Sequence, residues 1–155
     1  MEIEIRRATS ELAPTLTDIA HAAKRHWRYP ERWIESWREL LTITPAYVVE
    51  HEVFVATNGD EVVGFYALMD LRTHWSLDHL WVRPQYIGRG VGRRLFTHAV
   101  ERARSLHPVP LRIESDPNAE RFYLRMGARR IGSVPAEIDG VQRALPHLEL
   151  SIAAG

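Results

Sequence analysis

Apolar residues recur with two different periods along this chain, and the switches between them outline a fold. Ile3 and Ile5 alternate with charged neighbours, a period of two that predicts a half-buried strand over residues 2–7. Leu12, Leu16, Ile19, Ala20 and Ala23 then fall on one helical face, with Ser10 placed to cap a helix starting at Glu11. Pro30 and Glu31 open a second predicted helix, because proline is tolerated in a first turn. Its apolar set is Trp33, Ile34, Trp37, Leu40 and Leu41, and Pro45 follows it. Val53 and Val55 on one side, and residues 62–69 on the other, flank Asn58-Gly59-Asp60, a hairpin signal. A strand over residues 76–82 stops at Pro84. Gly88, Gly90 and Gly92 then lead into an amphipathic helix bearing Val91, Leu95, Phe96, Ala99 and Ala103. A short strand, Leu111–Glu114, reaches Asp116-Pro117-Asn118. A helix over residues 119–126 ends at Gly127, a C-cap residue. Strands near residues 129–131 and 145–152 complete the series.

The predicted order is β-α-α-β-β-β-α-β-α-β-β. Hairpins and crossover helices are mixed, which predicts an α/β (α+β) fold: a single mixed, mostly antiparallel central sheet flanked by helices. A doubly wound dinucleotide fold would need simple alternation of strands and helices. The 155 residues contain no linker, repeat or low-complexity segment, so one domain over 1–155 is expected. Lys+Arg and Asp+Glu are 20 each. That balance argues against a strongly basic nucleic-acid binder or a polybasic membrane-surface protein. Cysteine is absent, which excludes disulfides, thiolate metal sites and a cysteine nucleophile. The eight histidines have no close metal spacing, so no metal is expected. No apolar run approaches the ~20 residues of a membrane helix, and a cytoplasmic location is expected.

The segment from Leu77 to Leu95 is the most informative. It reads strand, loop, three glycines at alternate positions, then helix. Glycine lets backbone approach a phosphate closely, and the first N–H groups of a helix are unpaired and favour an anion. Arg89, Arg93 and Arg94 add cations that suit phosphate oxygens. The pattern points to a pyrophosphate cradle. It lacks the Gly-Lys-Ser/Thr of a nucleotide-hydrolase loop, and its glycine spacing is not that of a dinucleotide site. A tight connection with exposed arginines would leave the same trace.

Two stretches together resemble the GNAT superfamily of acyl-CoA N-acyltransferases: Val82-Arg83-Pro84 followed by Ile87-Gly88-Arg89-Gly90-Val91-Gly92, and Asp116-Pro117-Asn118 followed by Phe122-Tyr123 and Gly127. Ile87 stands where that family usually has Arg or Gln, with Arg89, Arg93 or Arg94 placed to compensate. The resemblance implies acetyl-CoA as cosubstrate and direct attack of an amine on its thioester in a ternary complex. It implies that Trp81, Val82, Ile87, Gly88, Arg89, Gly90, Val91, Gly92, Arg93, Arg94, Asn118 and Phe122 contact the cofactor. A backbone N–H near Trp81 or Val82 would meet the developing oxyanion.

Two side chains are the implied catalysts. Tyr123 stands at the family's general-acid position, although a buried tyrosine is equally a packing residue. Asp78 is the first candidate for the base, acting through water, or else a structural hydrogen-bond partner. Strict alternation sets Asp78 on one strand face with Leu80 and Val82, and His79 with Trp81 on the other. Asn118 is expected to cap the following helix and also to touch the pantetheine arm. Trp27, Tyr29 and Glu31 are candidates for the acceptor pocket. The expected acceptor is a small-molecule or peptide amine. A non-catalytic acyl-CoA sensor is the alternative, a homodimer is possible within the family, and nucleic acid is disfavoured as a partner.

Overall fold

The computed structural model describes residues 1–153. Its elements are β1 (Ile3–Arg7), α1 (Ala13–His26), α2 (Glu31–Ser36), α3 (Pro45–Glu50), β2 (Glu52–Asn58), β3 (Glu61–Asp70), β4 (Trp75–Val82), α4 (Val91–Leu106), β5 (Leu111–Glu114), α5 (Glu120–Arg125), β6 (Arg129–Ile138) and β7 (Val141–Leu150). The strands form one sheet in the order β1-β2-β3-β4-β5-β7-β6. Every neighbouring pair is antiparallel except β4 with β5. The mixed, mostly antiparallel sheet is the predicted one.

Both faces of the sheet are covered. On one, α4 buries Val91, Leu95, Phe96, Ala99 and Ala103 against Tyr66, Leu68 and Leu77, with Tyr123 of α5 beside them. On the other, α1 buries Leu16, Ile19 and Ala20 against Val53, Val55, Phe65 and Ala67. Each fully buried aliphatic or aromatic side chain contributes about 1.5–3 kcal/mol. β2 and β3 are therefore apolar on both sides, with residues 53–57 and 62–68 buried without alternation.

Several boundaries differ from the sequence expectation. Ser10 lies inside a short 3-10 turn and α1 starts only at Ala13, so Ser10 is not its cap. The second helix stops at Ser36 rather than Leu41, and Leu40 is exposed. Pro45 does not merely follow a helix. It is the first residue of α3, capped by the Thr44 side chain, which accepts from the Tyr47 N–H at 3.1 Å. The last two strands run longer than predicted because Asp139-Gly140, both at positive φ, closes a hairpin between them.

The feature that makes room for a site is the parting of β4 from β5. They pair only at Trp75–Leu111 and Ser76–Arg112. Immediately beyond, Leu68 pairs with Leu77 and Ala67 with His79, which leaves Asp78 as an extra residue in β4. A bulge bends its strand, and here the bend falls where the parallel partner is lost. Gly64 of β3 holds the far end of β4 close. A Cβ there would meet the Trp81 carbonyl oxygen at 2.8 Å and Leu95 Cδ1 at 3.1 Å.

Candidate active site

The gap between β4 and β5 opens into a cleft of about 570 Å³, with residues 77–82 on one wall and 113–116 on the other. Gly88, Gly90, Gly92 and Arg93 close one end, and Phe122 and Tyr123 of α5 lie between. Strand parting thus brings residues distant in sequence to one opening.

The loop before α4 is anchored at Tyr86. Its buried hydroxyl donates to Glu61 Oε1 at 2.7 Å and accepts from Asn58 Nδ2 at 3.1 Å. Gly88 and Gly90 take φ of +81° and +86°, a region that costs other residues about 1–2 kcal/mol. The first α4 hydrogen bond runs from the Arg94 N–H to the Gly90 carbonyl at 3.1 Å. The amides of Gly88, Gly90, Val91, Gly92 and Arg93 consequently have no backbone partner among the described residues. Five unpaired N–H groups at a helix start suit a diphosphate.

Gap-facing amides continue along β4. The Arg83 N–H bonds to Val63 of β3 at 2.8 Å. N–H directions alternate along a strand, so the Val82 and Leu80 amides turn toward the departed β5. Of the two predicted oxyanion donors, Val82 is the one that faces the gap.

Tyr123 is 7% exposed, packed on Phe96 and Phe122 at ring distances of 5.7 and 5.2 Å. Its hydroxyl has no protein hydrogen-bond partner among the described residues, and the side chain lines the cleft. Burial, aided by the Asp116 charge, pushes the phenol well above its ordinary value of 10. Tyr123 therefore stays protonated and keeps a proton to donate.

The bulge corrects the predicted strand faces. The Asp78 carboxylate accepts from the Tyr47 hydroxyl of α3 and lies 3.6 Å from His79 Nε2. Asp78 thus shares a face with His79 and Trp81, not with Leu80 and Val82. The Trp81 indole N–H donates to His79 Nδ1 at 2.9 Å. An indole nitrogen can only donate, so neutral His79 carries its proton on Nε2, toward Asp78. Burial holds the imidazole below its usual 6.5, against the pull of Asp78.

Behind the 113–116 wall, Lys24 of α1 pairs with Asp116 at 2.7 Å, both side chains mostly buried. Burial raises the Asp116 carboxyl, but the charge and hydrogen bond of Lys24, together with the hydrogen bonds from the Asn118 amide and the Tyr29 hydroxyl, outweigh it and the net shift is downward. Lys24 is itself lowered by burial, against the pull of Asp116. The Tyr29 hydroxyl donates to both Asp116 oxygens at 3.0 Å and accepts from Asn118 Nδ2 and Arg143 Nη2, also at 3.0 Å. Burial first, then Asp116, push the Tyr29 phenol up to about 12.

Comparison with known proteins then decides the family. Residues 31–144 match the Acetyltransferase (GNAT) domain. The chain belongs to the GNAT acetyltransferase family. It is 32% identical over 113 residues to the peptidyl-lysine N-acetyltransferase YjaB of Salmonella typhimurium, covering 72% of each chain. Its fold is shared with a GCN5-related N-acetyltransferase from Rhodopseudomonas palustris, with a TM-score of 0.82, 22% identity and coverage of 98% and 97%. It is shared also with the PaiA N-acetyltransferase of Thermoplasma acidophilum in complex with coenzyme A, with a TM-score of 0.77, 21% identity and coverage of 99% and 100%. Like its relatives, this GNAT chain is an acyl-CoA-dependent N-acyltransferase.

Within this GNAT sheet the predicted site residues divide. Asp78, Trp81, Val82, Ile87, Gly88, Gly90, Gly92, Arg93, Asn118, Phe122, Tyr123 and Trp27 all line the cleft. Arg94 does not, because its guanidinium donates to the Ile3 carbonyl at 2.8 Å. Arg89 lies over the Tyr86 ring, 4.8 Å from its centre. The Val91 side chain is core, 1% exposed, and only its amide faces the loop. Asn118 does not cap α5, whose N-cap position is Ala119 without a side-chain bond, nor the short turn before it. Asp116 caps that turn, accepting from the Asn118 N–H at 2.9 Å. Tyr29 stands one hydrogen bond behind the cleft wall, and Glu31 pairs with Arg25 in solvent. Sequence reasoning missed Lys24, Trp37, Tyr47 and Arg143. Lys24, the only lysine, was the sole one with a visible signal.

Proposed function

We propose that this chain moves the acetyl group of acetyl-CoA to the primary amine of a small molecule or peptide by direct attack in a ternary complex. The observation that carries the reading is the single cleft joining five unpaired amides at the start of α4 to the unpartnered Tyr123 hydroxyl. The amides of Gly88, Gly90, Val91, Gly92 and Arg93 would hold the diphosphate, with Arg93 adding charge at the rim. The parted strands would take the pantetheine arm, and Ile87 would offer only apolar contact. A cytoplasmic setting, where acetyl-CoA is available, goes with this reading.

An alkyl ammonium loses its proton at neutral pH only at about 4.6 kcal/mol. Asp78, polarised by Tyr47 and facing the His79 N–H, would accept that proton through water. The Val82 amide would stabilise the oxyanion as the amine adds. Tyr123 would donate to the leaving sulfur, where a phenol above its ordinary pKa helps by hydrogen bonding before full proton transfer.

Calorimetry with CoA, followed by thiol release from acetyl-CoA over a panel of amines, tests this. Binding with acceptor-dependent release is expected. Binding with no release for any amine would favour an acyl-CoA sensor, and absence of binding would end the acetyltransferase reading.

A further inference from the structure

The polar hub behind the cleft wall has used all its acceptors and kept donors to spare. The Tyr29 hydroxyl gives its one proton to Asp116 and takes N–H groups from Asn118 and Arg143. Asp116 accepts from Lys24 and Tyr29 on one oxygen, and from Tyr29 and both Asn118 nitrogens on the other. Neither group has a free lone pair of consequence. Arg143 of β7 commits one of its N–H groups, to Tyr29, and forms no ion pair among the described residues. Its guanidinium lies over Tyr29, Trp33 and Trp37, 5.2, 5.8 and 5.5 Å from their ring centres. A stacked guanidinium uses its flat face and leaves its N–H edge available.

The charge count points the same way. Lys24 and Arg143 are two cations against one carboxylate, Asp116. Of the other charges on α2 and its approaches, Arg32 pairs with Asp139, Arg25 with Glu31 and Arg38 with Glu35, while Arg28 is exposed to solvent and outside the hub. One positive charge is left over in a half-buried, aromatic-walled corner. A carboxylate answers both observations. It is planar, it can take two parallel N–H bonds from a guanidinium, and its single charge cancels the excess, where a phosphate dianion would overshoot. The hub borders the cleft through Asp116 and Asn118, and the Asp78 carboxylate, of the opposite sign to the excess charge, lines the facing wall.

We propose that the acceptor is an amine bearing its own carboxylate, an amino-acid-like compound held by Arg143 beside Lys24, with its ammonium turned toward Asp78. The proposal rests on the acetyltransferase reading and names the acceptor class within it.

The test uses matched acceptors: glycine, β-alanine and 4-aminobutyrate against their primary amides, scored by thiol release from acetyl-CoA. At least one carboxylate should exceed its amide about tenfold or more in kcat/KM, mainly through KM. Arg143→Gln should bring that ratio close to one, and Arg143→Lys, which keeps charge without the fork, should fall between. The N-acetylated carboxylates and amides are also titrated calorimetrically, with and without CoA, so that a slow reaction does not hide binding. Amides turned over or bound as well as carboxylates, an undiminished ratio in Arg143→Gln, or no binding by any carboxylate product would each overturn the proposal. A protein that binds the carboxylates yet ignores CoA would instead sink the acetyltransferase reading alone.

Discussion

The two ends of the cleft are built from different materials. The glycine end presents backbone: five unpaired amides, two glycines at positive φ, and a strand held close by Gly64. The proposed acceptor end is instead a hub of side chains drawn from α1, the α1–α2 connection, the turn after β5, and β7, meeting at Tyr29. A backbone site is indifferent to many substitutions and intolerant of an added Cβ. A side-chain site is the reverse. The contrast is consistent with Ile87 standing where the resemblance would place Arg or Gln.

Substitutions can break this contrast or sharpen it. The largest effect is expected where the two ends meet. Tyr123→Phe should lower turnover about 10²–10⁴-fold with CoA affinity nearly unchanged in calorimetry; unaltered turnover would remove Tyr123 from the mechanism. Next, Asp116→Ala leaves Lys24 buried without its partner. A cost of about 3 kcal/mol follows, seen as a drop of roughly 6–12 °C in Tm. A drop under a few degrees would mean the hub is not a stabilising ion pair. At the other end, Gly64→Ala forces a methyl against a main-chain oxygen. It should cost about 1–3 kcal/mol and weaken CoA binding as the end of β4 shifts.

A smaller effect is expected with pH. His79 is held neutral in the folded chain, while an unfolded histidine takes up a proton below pH 6.5. Its contribution to stability is therefore whole above pH 6.5 and lost as the pH falls below it, by at most about 1.4 kcal/mol per unit. His79→Gln should flatten that part of a Tm-against-pH curve, and an unchanged slope would contradict its burial as a neutral group. Smallest of all, Glu31→Ala should alter neither Tm nor acceptor KM, because Glu31 is exposed and paired with Arg25. A raised KM would return Glu31 to the acceptor pocket.

The same division governs what could be read from sequence. The sheet, and the positions of the glycine loop and Tyr123 at one cleft, were legible because periodicity, glycine spacing and motif order can be read along the chain. The bulge at Asp78 was not, since alternation gives no sign of an extra residue until pairing with β3 is known. The α3 helix was hidden by Pro45, which starts a helix as readily as it ends one. The Lys24–Asp116 and Arg143–Tyr29 contacts join residues 92 and 114 positions apart, and no local pattern announces such partners. Arg94 misled because its charge suits phosphate, while its geometry ties it to β1.

The burial of Lys24 bears also on the enzyme as a target of its own reagent. Thioesters acylate exposed amines without catalysis, and guanidinium groups resist them. Lys24 is the one lysine beside nineteen arginines, and it is shielded by its ion pair with Asp116 and by the ring of Trp37, 4.2 Å from its ammonium. Prolonged exposure to acetyl-CoA should therefore leave the folded chain unmarked except at its terminal amine, a result that intact-mass measurement reads directly. Unfolding alone would uncover Lys24, so its acetylation would record how often the native state opens.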